Sequence, residues 1–258
     1  MTFSQTVTLV DTLARFHLKG ESRQYFLGYL WWVLEPLLYV GVFYLVFETL
    51  LNSRQPDFLY FLIVGKVTFI WFSKSVNQAG SSLEANKGLM AQTNLRKELF
   101  PLAVILQGLY RQLVVFLFLI GFLLVGGYPP SATWLWLIPL TVLQAILITA
   151  CGLLGALLVS FKRDFRLVIQ LGTVFLLFMS GIFWDLNTIA DAHLRDGLLV
   201  LNPLANLIDC YRLVLMHDEA PNAIRLAWVL GESLVLLISA WFAYDRLQFW
   251  IARQVVNR

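Results

Sequence analysis

From Trp134 to Phe161 the chain reads WLWLIPLTVLQAILITACGLLGALLVSF, with no Asp, Glu, Lys or Arg in the whole stretch. A membrane crossing needs about 20 mostly apolar residues. This run meets that length, and a helix apolar on every side belongs in the core of a large protein or in a membrane. Working outward, five more stretches qualify as spans: about 31–51, 58–76, 102–125, 167–184 and 224–244. The composition agrees. Of 258 residues 59% are hydrophobic and 14% charged, against about 25% charged in average soluble domains, and the mean hydropathy is +0.73. A soluble domain could not hide that much apolar surface. This excludes a soluble enzyme, a nucleic-acid-binding domain and a disordered chain. The expected fold is an all-α integral membrane domain, a single unit over 1–258 with six transmembrane helices.

The charges orient it. With both ends in the cytoplasm, the inner segments hold Arg15, Lys19, Arg23, Lys87, Arg96, Lys97, Lys162, Arg163, Arg166, Arg246, Arg253 and Arg258, and the outer ones only Arg54, Arg195, Arg212 and Arg225. That bias predicts a multi-pass protein with both termini inside. The first residues carry no cleavable signal pattern. Cys151 and Cys210, the only cysteines, read as small apolar fillers.

Three segments are not spans. In 1–28, Phe3, Val7, Val10, Leu13 and Phe16 recur at helical spacing among polar residues, which predicts an amphipathic helix in the membrane interface or packed on another protein domain. Between spans two and three, Asn77–Phe100 is polar, with Leu83, Leu89, Met90 and Leu95 able to give a short docking helix one apolar side; a solvated loop is the other reading. The segment 185–223, on the outer side, has apolar pieces too short to span, 198–201 and 204–216. Such pieces suggest re-entrant or interfacial helices, a gate over an exit.

No catalytic constellation is visible. His17, His193 and His217 are scattered. Gly65-Lys66-Val67-Thr68 resembles the end of a phosphate loop, but its other glycine would fall on Tyr60, so no nucleotide, cofactor or metal site is expected. Ionisable groups in spans are functional candidates: Glu35, Glu48, Lys66, Lys74, Arg111 and Glu232. Most lie near span ends, where long side chains reach water. Ala145, Thr149, Gly152, Ala156 and Ser160 form a small-residue face for close helix packing. Tyr39, Phe43 and Phe47 share one side of span one, and Phe175, Phe178 and Trp184 recur in span five. Such faces stack on sugar rings, pack in a core or meet lipid; the pattern leaves these open.

Four motifs carry a resemblance. Leu27-Gly28-Tyr29-Leu30-Trp31-Trp32-Val33-Leu34-Glu35-Pro36-Leu37-Leu38 opens span one. Asn86-Lys87-Gly88-Leu89 and Arg96-Lys97-Glu98-Leu99-Phe100-Pro101-Leu102 precede span three. Phe161-Lys162-Arg163-Asp164-Phe165-Arg166 joins spans four and five. Asn202-Pro203-Leu204 with Tyr211-Arg212 precedes span six. Together they resemble, in order and over the whole chain, the permease subunits of type-2 ABC transporters, above all exporters of O-antigen, capsule and teichoic-acid polysaccharides. Ser22-Arg23-Gln24-Tyr25-Phe26 departs from that family's more frequent Tyr-Arg-x-Ser.

The resemblance implies a homodimer in the bacterial inner membrane, with two copies of a separate ATPase that carries the ATP and magnesium. It implies that a helix over about 82–97 couples to that ATPase through Glu84, Asn86, Lys87, Arg96 and Lys97, beside Arg163 and Asp164. The cargo would be an undecaprenyl-diphosphate-linked glycan. The aromatics Tyr39, Phe43, Phe47, Phe175, Phe178 and Trp184 would line its path, and Arg15, Lys19 and Arg23 would attract its diphosphate. The alternatives are a type-2 exporter of another lipid or drug, and a membrane enzyme acting on lipid-linked sugars, for which the dispersed acids speak poorly.

Overall fold

The computed structural model describes residues 2–50, 57–93 and 95–256. Arg54, Arg258, Asn94 and the end of span one at Leu51 lie outside them, as does the side chain of Glu48. Among the described residues the chain forms ten α-helices and short helical turns, with no strand. Five helical stretches are long and apolar enough to cross a membrane: 28–47, 58–85, 99–125, 132–161 and 223–248.

Helix α1 (Phe3–Gln24) starts at a capping box: the Thr2 hydroxyl accepts from the Gln5 amide, and the Gln5 side chain accepts from the Thr2 amide. Gly28, at φ 50°, turns the chain into α2 (Trp31–Tyr44), which continues as a wider π-helical turn over Leu45–Leu50. Helix α3 (Phe58–Ala85) is the centre of the bundle. It packs against α2, α5 (Leu99–Val125), α6 (Leu137–Phe161), α7 (Phe165–Met179) and α9 (Pro203–Met216). Helix α10 (Ala223–Val256) closes the other side of α6. The small-residue face does pack: a Cβ added at Gly152 would sit 3.0 Å from both Ala79 and Ile105, and Ala156 and Ser160 are buried.

The observed boundaries depart from the sequence expectation where apolarity and helicity part company. Span two was expected to end at Val76, but α3 runs on to Ala85, because Asn77–Glu84 is polar yet holds no proline, and its one glycine, Gly80, packs against Ile169 and Gly155. The single coupling helix expected over 82–97 is divided: its start is the last turn of α3, its middle is α4 (Lys87–Gln92), and Thr93 is extended. Helix α5 begins at Leu99 with Pro101 in its first turn, where the missing N–H costs nothing. Span five is shorter than its apolar run. Helix α7 ends at Met179, and Gly181 at φ 66° turns the chain away. Helices α8 (Ala192–Leu201) and α9 meet at 106°. Asp191 caps α8; Asn202 caps α9, with Pro203 as its first residue.

Candidate functional site

One face of α3 carries polar residues from Lys66 to Ser81, interrupted by Phe69 and Ile70. Lys66, Ser73, Lys74, Asn77, Gln78 and Ser81 recur at helical spacing and line two cavities that share Asn77 and Gln78. The first, about 370 Å3, lies between α2, α3 and α7, with Glu35, Tyr39 and Thr173 in its wall. The second, about 420 Å3, continues towards α1 and the start of α7, with His17, Asn86, Arg166 and Gln170. Lys66 to Asn86 is twenty residues, about 30 Å of helix. Glu35 accepts an ion pair from Lys74. Asn77 donates to the Ser73 carbonyl and to Thr173 Oγ1 at 2.7 and 3.1 Å, while its buried Oδ1 has no partner among the described residues. Burial pushes the His17 imidazole below its usual range, so it faces the lane neutral, and Arg166 is the cation there.

The lane ends beneath aromatic rings. Phe183, nearly buried, receives Phe43 at 4.4 Å and Phe47 and Phe178 at 5.7 Å. Trp184 donates from Nε1 to the Phe178 carbonyl at 2.9 Å. Of the expected path aromatics, Phe43, Phe47, Phe178 and Trp184 thus gather around Phe183. Tyr39, Phe175 and Phe178 are exposed, and Tyr39 borders the first cavity. Phe183 was not singled out from sequence; its place in an apolar run hid it. The polar face of α3 was readable from its spacing, but its residues were split between a span and a loop.

Above this plug the segment before α10 is clamped. Arg212, buried, donates to the Phe61 carbonyl (3.1 and 3.2 Å), to that of Gly181 (2.7 Å) and to that of Ile182 (3.2 Å), with its guanidinium over the Phe61 ring. Asn202 donates to Ser180 Oγ at 3.1 Å and to the Met179 carbonyl. Arg225 pairs with Asp209 at 2.7 Å, tying α9 to α10. The motif residues Asn202 and Arg212 are therefore a helix cap and a clamp.

At the opposite end, α4 and the ends of α6 and α10 share a core in which Met90, Phe100, Leu157, Tyr244 and Ile251 meet. Arg163 donates to Glu84 at 2.8 Å, so the 161–166 connection and the end of α3 form one surface. Glu84, Asn86, Lys87, Arg163 and Asp164 lie on it, none of them fully buried. Lys97 does not: it is buried, and that burial holds its ammonium below the ordinary lysine value. Arg96 is turned onto its own chain, paired with Glu98 and set over the Trp241 ring. Lys97 therefore sits inside the fold and not on this surface.

Helix α1 reaches one turn of α5 from two sides. Asp11 accepts from the Tyr110 hydroxyl at 2.5 Å, and Glu21 accepts from Gln107 at 2.7 Å and from Arg111 at 2.9 Å. The Tyr110 hydroxyl, then Arg15, holds the Asp11 carboxyl below the usual carboxylate range. Of the three expected diphosphate residues, Arg15 is paired with Asp11, and Lys19 and Arg23 are exposed. Val7 and Phe16 are also exposed, as suits a helix lying on lipid.

A long-helix bundle with a polar lane, capped by a bent helix pair, is the architecture of a membrane transporter subunit. Residues 8–216 match the ABC-2 type transporter family, and the chain belongs to it; it is a multi-pass membrane protein. It is similar to the O-antigen export system permease protein RfbA of Myxococcus xanthus, 30% identical over 237 residues, which cover 90% of this chain and 89% of that one. The RfbA of Klebsiella pneumoniae is 28% identical over 95% of this chain and 93% of its own. The polysialic acid transport protein KpsM of Escherichia coli is 25% identical over 90% of each.

Proposed function

We propose that the chain is the membrane subunit of an ATP-driven exporter that moves a lipid-linked polysaccharide, an O-antigen or related glycan, across the bacterial inner membrane. The observation that carries this reading is the match, over 90% and 95% of the chain and at like length, to O-antigen export permeases. The lane fits it. Amides, hydroxyls and charges along α3 offer a polymer of hydroxyls hydrogen bonds without a fixed register, and rings at its end offer stacking faces. In this reading two copies of the chain pair, and the exposed apolar face of α7, with Leu171, Val174, Phe175 and Phe178, helps enclose the path. Two ATPase subunits carry ATP and magnesium and dock at the surface of Glu84, Asn86, Lys87, Arg163 and Asp164. Both termini are cytoplasmic, because the basic residues cluster at that end. Closure of the ATPase pair shifts α3 and α4 as rigid bodies, and the aromatic plug opens under the clamped gate.

Disrupting the gene in its host tests this. Surface polysaccharide should be lost and lipid-linked glycan should accumulate inside, with both reversed by the wild-type gene. Normal surface polymer in the disrupted strain overturns the reading.

A further inference from the structure

Lys66 sits near the middle of the apolar part of α3, eight residues from Phe58 and ten from Val76, about 12 and 15 Å along the helix. It is 4% exposed and lines the first cavity. Among the described residues it makes no hydrogen bond and no ion pair. Its ammonium lies instead 4.5 Å from the Tyr39 ring centre and 5.5 and 5.6 Å from those of Phe43 and Phe69. The carboxylate in the same cavity, Glu35, is paired with Lys74. Among the described residues two cations and one anion line the cavity, a surplus of one positive charge at mid-membrane. Such a charge is costly to keep there, and rings offset only part of that cost.

We propose that Lys66 is an anion station in the lane, where the diphosphate of a polyprenyl-linked glycan rests midway through the membrane. The assignment rests on the export reading above and deepens it. A diphosphate crossing hydrocarbon needs a counter-charge, and the lane leads to one from Arg166 past Asn77 and Lys74. The three rings keep the ammonium in place when the station is empty, and a phosphate oxygen can approach its open side from the cavity.

The test uses the full chain with its ATPase in lipid nanodiscs. Binding of undecaprenyl diphosphate, undecaprenol and inorganic diphosphate is measured. The wild type should hold undecaprenyl diphosphate about tenfold more tightly than undecaprenol, the size of one charge-assisted hydrogen bond. Lys66→Gln and Lys66→Met should both fall to the undecaprenol level, and Lys66→Arg should stay near wild type. A merely structural lysine predicts the reverse for Lys66→Met, which keeps the packing. Inorganic diphosphate competing at the wild type but not at Lys66→Gln supports a site for the anion itself; no competition, with the lipid arm intact, supports one that needs the lipid as well. Wild-type affinity for undecaprenyl diphosphate in both neutral variants overturns the station and leaves the export reading standing. The export reading fails separately, on the surface polymer of the disrupted strain.

Discussion

At Arg212 one guanidinium joins three pieces of chain: α9, the outer turn of α3 at Phe61, and the bend after α7 at Gly181 and Ile182. Its neighbour across the contact explains a glycine. A Cβ at Gly65 would lie 2.4 Å from Arg212 Nη2, so that position, which in sequence resembles a phosphate loop, is the floor of the clamp. Replacing Arg212 with Ala leaves three carbonyls without this donor and should cost roughly 3 kcal/mol. Lysine keeps the charge but not the planar fork, so Arg212→Lys should recover only part of the loss. Gly65→Ala should act through the same contact. Melting in detergent should drop by several degrees for each single variant, and Gly65→Ala should add little on top of Arg212→Ala. Additive drops would mean that the two residues act apart. The sequence placed Arg212 in the outer segment, but nothing in its spacing marked its partners. They are backbone carbonyls 30, 31 and 151 residues earlier in the chain, and carbonyls have no sequence signature.

At the scale of elements, the apolar runs found the long helices because a membrane helix must be apolar over about 20 residues. They misjudged helix ends wherever a polar stretch stayed helical, as at 77–85 in α3, or an apolar stretch did not, as after Met179. Helix α1 was legible from its spacing, and its attachment was not. That attachment is polar. Glu21 meets Arg111 with side-chain exposures of 19% and 7%, so removing one charge strands the other in a mostly dry contact, worth about 3 kcal/mol. Glu21→Gln should therefore loosen α1 from α5 without unfolding the bundle. Ala14 is fully buried on α1, so a cysteine placed there reports on the loosening. Its maleimide labelling should rise at least tenfold in the Glu21→Gln background, and the swap Glu21→Arg with Arg111→Glu should bring it back part of the way. Unchanged labelling would show that the apolar contacts alone hold α1.

For the whole molecule the open quantity is the number of crossings. Five helical stretches are long enough, and both termini can share a side only if a sixth crossing exists. Helix α7 has 15 residues, about 22 Å, short of a hydrocarbon core of about 30 Å. The bend at 180–185 and the bundle around it must supply the rest, which protein burial allows for non-helical backbone at that depth. The proposed topology includes that crossing, since Lys162, Arg163 and Arg166 precede α7 and Asp185, Asp191 and Asp196 follow it. In that proposed topology the 106° turn between α8 and α9 belongs to a re-entrant pair that enters and leaves on the outer side. Single cysteines in a background lacking Cys151 and Cys210 decide this. With intact cells and an impermeant maleimide, Asn187→Cys and Glu219→Cys should label, while Gly88→Cys and Lys162→Cys should label only after the membrane is opened. If Lys162 and Asn187 report the same side, α7 does not cross: Glu219 on the opposite side then makes the α8–α9 pair a broken span with both termini still sharing a side, and Glu219 on that same side leaves five crossings and puts the termini on opposite sides.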